Sequence, residues 1–147
     1  MIKIITWEEI LPIWKNQLWP NRTSPVETNS AMCYLQGHDM SNMTTRPTFF
    51  GYIQDDKIVG VNSGHACVNN YRSRGLWVSP NYRNRGIGCA LLTATISQGV
   101  AEGFDLIWSY PRNTSWSTYR SAGFKLTSEW QTSETSEANA FCSFGRP

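Results

Sequence analysis

The sequence is poor in charged residues and in long apolar runs, and each shortage excludes a class of protein. Charged residues make up 16% of the 147 positions and the formal net charge is only +2, which argues against nucleic-acid binding through bulk electrostatics. No run approaches the ~20 apolar residues that cross a bilayer, and the N-terminus shows no signal-peptide pattern. We therefore expect a cytoplasmic protein without a membrane partner.

The four cysteines lack the spacing of a disulfide framework or a metal site. Cys33, Cys67, Cys89 and Cys142 form no Cys-x-x-Cys pair, and no histidine stands beside them at metal-ligand spacing. We therefore predict reduced, mostly buried thiols and no bound metal.

What the sequence does contain is enough apolar material for one core. Apolar residues make up 40% of the chain, which has seven Trp, six Tyr and six Phe. A chain of this length supports one domain rather than two. We therefore predict a single domain over residues 1–147.

Local patterns predict a mixed α/β fold, with helices on the faces of a largely antiparallel central sheet. Thr6 and Glu9 form a capping box that begins the first helix, and Gly103 and Gly123 end two later ones. The predicted strands are 2–6, 48–54, 58–68, 72–79, 106–108, 124–130 and 138–144. The predicted helices run to 18, from 28 to 35, from 91 to 100 and from 114 to 122. We expect the terminal strand to be exposed, where it could pair with a second subunit in a homodimer.

The segment from Leu76 to Gly88 joins a strand to a helix and is typical of an anion site. The first turn of a helix offers unpaired N–H groups and the positive end of the helix dipole, and glycines let a pyrophosphate approach the backbone. Arg83 and Arg85 add positive charge. In the alternative interpretation, Gly86 and Gly88 only permit a sharp turn or close packing.

The same loop resembles a known family signature. Arg83-Asn84-Arg85-Gly86-Ile87-Gly88 is similar to the Gln/Arg-x-x-Gly-x-Gly/Ala acetyl-CoA motif of the GNAT N-acetyltransferases, and Val78-x-Pro80 precedes it as in that family. Downstream, Asn113, Tyr119 and Gly123-Phe124 resemble the family's Asn followed by Tyr-x-x-x-Gly-Phe. The resemblance covers most of the chain from Thr48 onward and is weak over 19–47.

This resemblance implies the GNAT fold and acetyl transfer from acetyl-CoA. In the family, a primary amine of a small molecule or protein attacks the thioester directly in a ternary complex. The backbone of Leu76, Trp77 and Val78 would bind the pantetheine arm, with the Val78 N–H on the thioester carbonyl. Tyr119 would protonate the departing thiolate or donate a hydrogen bond to it. The other cofactor-binding residues implied are Arg83, Asn84, Arg85, Gly86, Ile87, Gly88 and Asn113, the last of which could also cap a helix.

The acceptor amine must lose a proton, and the group that takes it is not obvious. Many relatives carry a Glu on the strand before the loop, but 72–79 contains no carboxylate. His65 on the preceding strand is the first candidate base, with His38, Asp39 or a water relay behind it.

Two other classes of function remain open from the sequence. A CoA-binding module that has lost its chemistry could act as a sensor, which the missing carboxylate favours. A nucleic-acid binder could use Arg72, Arg74, Arg83 and Arg85 with Tyr71 and Trp77, against which the small net charge counts. The acceptor itself is expected to meet residues 19–47 and 131–137.

Overall fold

The computed structural model describes residues 1–21, 47–67, 69–132 and 138–145. The strands of these residues are β1 (Ile2–Ile5), β2 (Thr48–Gln54), β3 (Lys57–Ala66), β4 (Tyr71–Val78), β5 (Leu106–Ser109), β6 (Lys125–Leu126) and β7 (Cys142–Gly145). The α-helices are α1 (Trp7–Ile13), α2 (Ile87–Ala101) and α3 (Trp116–Ser121). A π-helical turn, Trp14–Leu18, follows α1, and 3-10 turns occupy Pro80–Tyr82 and Asn113–Ser115. The helix predicted at 28–35, and with it Cys33, lies outside the described residues.

The strands form one sheet in the order β1-β2-β3-β4-β5-β7-β6. The β4–β5 pair is parallel, and the other neighbours are antiparallel. The turn between β2 and β3 is Asp55-Asp56, with φ of +53° and +60°, as a tight two-residue hairpin requires. The predicted mixed, mostly antiparallel sheet is confirmed.

The end of the chain differs from the prediction. The terminal strand β7 is not at an edge, because it pairs with β5 on one side and β6 on the other. The predicted strand 124–130 is reduced to the two residues of β6, followed by a single bridge from Gln131 to Asn139. The expectation of an exposed terminal strand, which could pair with a second subunit, was therefore wrong.

The first helix begins as its sequence predicts. Thr6 Oγ1 accepts a hydrogen bond from the Glu9 N–H at 3.1 Å, and Glu9 Oε1 accepts one from the Thr6 N–H at 2.9 Å. Pro12 lies inside α1, where it can donate no backbone hydrogen bond, and the chain continues as the wider π-helical turn. This turn buries Trp14, whose Nε1 donates to the Gly75 carbonyl of β4 at 2.8 Å.

Both faces of the sheet are covered by helices. On one face, Ile10 and Trp14 pack on Ile5 and Val61. On the other face, the apolar side of α2 packs on β2, β3, β4 and β5 through the buried residues Val59, Tyr71, Leu91, Leu92, Ile96 and Ile107. Among the described residues no helix is both long and apolar enough to cross a membrane.

Candidate active site

The central feature of the site is a gap in the sheet between β4 and β5. These strands pair only at Tyr71 with Ile107 and at Arg72 with Trp108, although β4 continues to Val78. Ser109 closes the narrow end of the gap, because its Oγ donates to the Ser73 carbonyl at 2.7 Å. Beyond that point one long edge of β4 is left without a strand partner in the described chain.

The backbone of Val78 faces this gap. Val78 is opposite Gly60 of β3, and the next residue, Ser79, donates its N–H to the Val59 carbonyl at 2.8 Å. Because an antiparallel ladder alternates, the N–H and C=O of Val78 point away from β3. Arg83 Nε donates to the Val78 carbonyl at 2.9 Å, which leaves the Val78 N–H directed at the cavity.

The same alternation corrects the expectation for Trp77. Trp77 is opposite Val61, and its backbone groups point toward β3, where the ladder uses them. A β-bulge precedes it at Gly75, which has φ of +83°. Leu76 and Val78 therefore present the β4 backbone to the gap, and Trp77 is also among the residues that line the cavity.

The start of α2 forms the second side of the cavity. Gly86 is the N-cap residue with φ of +79°, and no side chain among the described residues caps the helix. A Cβ placed on Gly86 would meet nothing within 4 Å, so the space before the first turn is open. The first N–H groups of a 15-residue helix therefore face this space with the positive end of the dipole.

Gly88 has a packing role instead. A Cβ at this position would come within 2.8 Å of Thr118 Cγ2 on α3. Gly86 thus agrees with the anion-site interpretation, because it leaves open space before the helix. Gly88 agrees with the alternative interpretation, because it allows α2 and α3 to pack closely.

Tyr119 lies at the floor of the gap and is only 3% exposed. Its hydroxyl is 3.5 Å from Ser109 Oγ, a weak contact, because Ser109 Oγ already donates its proton to the Ser73 carbonyl at 2.7 Å. Burial raises the pKa of Tyr119 to about 12. The phenol therefore stays protonated at neutral pH and can donate its proton to a group in the cavity.

Arginines form the wall of the cavity on the α1 side. Arg72 and Arg74 are each 5% exposed and lie two residues apart on β4, on one face of the strand. The Arg72 guanidinium carbon lies over the Trp108 ring, 4.5 Å from the ring centroid, and the Arg74 guanidinium carbon lies over the Trp19 ring, 4.9 Å from its centroid. We call this pair the arginine wall.

These elements enclose a cavity of about 930 Å³ that passes through the sheet. The charged side chains among the described residues that line it are Arg72, Arg74, Arg83 and Arg112; they include no Asp, Glu, Lys or His. The cavity is therefore strongly positive along the part that the structure describes.

Most of the predicted site residues line this cavity. They are Leu76, Trp77, Val78, Arg83, Asn84, Gly86, Ile87, Gly88 and Tyr119. Three predicted residues are absent from that lining: Arg85 stacks on the Tyr82 ring at 5.2 Å, Asn113 begins a 3-10 turn, and His65 is fully buried opposite Arg72. His38 and Asp39 lie outside the described residues.

Asn113 does not cap α3 either. The N-cap residue is Ser115, and no side-chain hydrogen bond is made there. The Asn113 backbone N–H donates instead to the Ala138 carbonyl at 2.9 Å, which ties the turn to the chain segment before β7.

Sequence reasoning missed the arginine wall and Ser109 as site residues. The signal for the wall was present, because Arg72-x-Arg74 on a strand places both side chains on one face. The role of Ser109 depends on which strand ends beside β4, and no local pattern carries that information.

Comparison with known proteins identifies this architecture. The model of the Acetyltransferase (GNAT) family matches residues 7–124. A search of curated protein sequences finds no significant match. Among solved structures, the chain is similar to the ribosomal-protein-S18-alanine N-acetyltransferase of Escherichia coli, with TM-score 0.70, 17% identity and coverage of 99% of this chain and 92% of that one.

Two further structures show the same fold. They are IAA acetyltransferase from Bacillus cereus, with TM-score 0.71, 16% identity and 99% of both chains covered, and an acetyltransferase of the GNAT family from Staphylococcus aureus, with TM-score 0.66, 20% identity and 99% of both chains covered. At these identities the structures establish the fold, and the family match over most of the chain establishes the relationship. The chain belongs to the GNAT acetyltransferase family.

Proposed function

We propose that the protein transfers an acetyl group from acetyl-CoA to a primary amine. The observation that carries this proposal is the gap between β4 and β5, which brings the β4 edge, the open N-terminus of α2 and the Tyr119 hydroxyl to one cavity. These are an amide-binding edge, an anion-binding helix end and a proton donor. A CoA thioester offers the matching groups in one molecule.

The residues of the cavity fit such a donor. The unpartnered edge of β4 at Leu76 and Val78 would hydrogen-bond the amides of the pantetheine arm, and the open space at Gly86 would admit the pyrophosphate. Charge-assisted hydrogen bonds of this kind contribute about 1.5–3 kcal/mol each. The Val78 N–H would donate to the thioester carbonyl and stabilise the negative charge that develops there.

Tyr119 would act on the departing sulfur as a hydrogen-bond donor. Because its pKa is raised to about 12, complete proton transfer to a thiolate of pKa ~8.5 would be uphill by about 5 kcal/mol. A hydrogen bond from the phenol stabilises the thiolate without that cost. The family resemblance leaves open whether Tyr119 protonates the thiolate or only donates a hydrogen bond to it. The raised pKa of Tyr119 supports the hydrogen bond.

The reaction removes two protons from the acceptor ammonium. One leaves before attack, the N–C bond then forms as the C–S bond breaks, and the second proton ends on the thiol or in water. Nearby cations lower the pKa of an ammonium. The arginine-lined cavity would therefore favour the neutral amine, with the proton leaving to water. His65 remains a candidate base, but it is not in the cavity lining, and its neighbour across the strands, Arg72, is.

The test is thermal unfolding with acetyl-CoA, CoA and ATP. Either CoA species at ~100 times its dissociation constant should stabilise the fold by about 2.7 kcal/mol, a rise in Tm of roughly 5–10 °C, whereas ATP should not. Absence of a shift with both CoA species would refute the donor site.

A matched pair of glycine variants locates the effect. Gly86 and Gly103 both have positive φ and open space at the Cβ position, but Gly86 lines the cavity. Asn tolerates positive φ, so Gly86→Asn should abolish the CoA shift and Gly103→Asn should keep it.

The second candidate function is a CoA-binding sensor without chemistry. The lack of a carboxylate or His among the described lining residues favours it. Firm CoA binding with no thiol release from acetyl-CoA across a broad amine panel would establish this alternative.

A further inference from the structure

The bulge in β4 decides which backbone groups of this strand face the cavity. Ser73 and Val78 are five residues apart, so their carbonyl groups would point to opposite edges of a regular strand. The Ser73 carbonyl points toward β5, where it accepts the Ser109 hydroxyl proton, and the Val78 carbonyl also points away from β3. The register of β3 and β4 shifts by one residue between these two positions, which accounts for the change of side. Without the bulge, the Val78 N–H would point to β3.

Buried side chains hold the backbone at the bulge. Three successive carbonyl groups of β4 each accept a hydrogen bond from a side chain: that of Ser73 from Ser109 Oγ at 2.7 Å, that of Arg74 from Ser63 Oγ at 2.8 Å, and that of Gly75 from Trp14 Nε1 at 2.8 Å. The donors come from β5, β3 and the π-helical turn, and all are buried. A bulge disrupts the ladder, and a buried carbonyl without a partner is destabilising. These donors therefore stabilise the bulged strand relative to a regular one.

Gly75 fits the same arrangement. Its φ of +83° lies in the left-handed region, which glycine adopts most readily. A Cβ at this position would clash with the Trp14 ring. The ring thus packs directly against the bulge while its Nε1 holds the carbonyl.

We infer that Ser63 and Ser109 are positioning residues for acetyl-CoA: their hydroxyls maintain the bulge, and the bulge directs the Val78 N–H into the cavity. This inference rests on the proposed binding of acetyl-CoA at the edge of β4. Ser63 gives the sharper test, because it is fully buried on β3 and is not among the described residues that line the cavity. Ser109 lines the cavity and also contacts Tyr119, so its replacement has two effects.

The first experiment measures backbone amide hydrogen exchange by NMR. In the wild type without CoA, the Trp77 N–H should be protected by its pairing with β3, and the Val78 N–H should exchange at least about 10-fold faster. Adding CoA should protect the Val78 N–H. In Ser63→Ala, the protection of Trp77 relative to the amides of α2 should fall by about 3- to 10-fold, which corresponds to one hydrogen bond.

The second experiment measures CoA affinity by titration calorimetry at a temperature where every variant is folded. Ser63→Ala and Ser109→Ala should each weaken CoA binding by about 3- to 10-fold, because the edge that binds the pantetheine arm is less often in the required orientation. Ile96→Val is the matched control, since Ile96 is buried on α2 and is not among the described lining residues. It should lower stability and keep CoA affinity within about 2-fold.

The outcomes separate this inference from the proposed function. No CoA shift in thermal unfolding of the wild type removes the proposed function, and the exchange of Trp77 in Ser63→Ala then decides about the bulge. Wild-type CoA affinity in folded Ser63→Ala, or an equal loss of affinity in Ile96→Val, overturns this inference alone. If Ser63→Ala does not fold, the wild-type exchange decides, and a Val78 amide as protected as that of Trp77 without CoA overturns the inference.

Discussion

At the scale of single residues, burial decides what Tyr119 can contribute. The hydroxyl has one weak contact, at 3.5 Å to Ser109, so its proton can be redirected to a new acceptor at little cost. Burial also holds the phenol in its neutral form. Tyr119 is thus suited to donate a hydrogen bond and unsuited to act as a base.

Tyr119→Phe should lower kcat about 10- to 100-fold and leave CoA affinity within about 2-fold, because only the hydrogen bond to the departing sulfur is lost. The measurement is steady-state kinetics together with the CoA thermal shift. Tyr52→Phe on β2 is a control away from the cavity. An unchanged kcat in Tyr119→Phe would remove this residue from the reaction.

The sequence predicted the residues whose roles are local. Thr6, Glu9, Gly86 and Gly103 have short-range signals, and the structure shows the expected caps and turns. Arg72 and Arg74 were noticed only as a cluster of charge, because their burial depends on Trp108 and Trp19, which lie far away in the chain.

At the scale of elements, the close approach of α2 to α3 depends on the absence of a side chain at Gly88. Gly88 is buried where α2 begins, and its missing side chain leaves room for the Thr118 methyl group. Close packing here sets the position of α3, and α3 carries Tyr119 to the floor of the cavity.

Gly88→Ala should lower the free energy of unfolding by about 1–2 kcal/mol, because the added methyl group meets Thr118 Cγ2. Thr118→Ser removes that methyl group, so the double variant Gly88→Ala/Thr118→Ser should recover most of the loss. Urea unfolding of the two single variants and the double variant closes the cycle. Additive effects of the two changes would contradict this packing.

The order of the elements was readable, but their arrangement at the end of the sheet was not. The strands up to β4 follow from β-rich patterns and turn residues, and β5 follows from a short apolar run. The position of β7 between β5 and β6 depends on pairing across about 35 residues, for example Ile107 with Phe144. Because this pairing joins residues that are far apart in the chain, local patterns could not decide it.

At the scale of the whole molecule, the buried acidic groups set the stability at high pH. Burial raises the pKa of Cys142 from 9.0 to about 12 and that of Tyr119 from 10.0 to about 12. The pKa of Tyr71 is also raised, first by burial and then by the negative charge of Glu102. Above pH 9 the unfolded chain loses these protons first. The folded state then binds more protons than the unfolded state, so stability falls as pH rises.

The free energy of unfolding should therefore be nearly constant from pH 7 to 8.5 as far as these groups are concerned. Between about pH 9 and 12 it should fall by roughly 1.4 kcal/mol per pH unit for each group that has titrated in the unfolded chain. Urea unfolding at each pH measures this, and Cys142→Ala should make the fall shallower between pH 9 and 10. A flat profile up to pH 11 would contradict the burial of these protons.

The gap between β4 and β5 also bears on solubility. An exposed strand edge is a template on which another chain can pair, and proteins usually cover or charge such edges. Here the unpartnered edge of β4 faces inward, toward its own neighbour β5 and the floor at Ser109 and Tyr119. A second protein chain cannot lie alongside it without pushing β5 away, whereas a narrow linear molecule can enter along its length. Among the described strands, the unpartnered edge of β4 is therefore shielded by β5 rather than open to pairing with another chain.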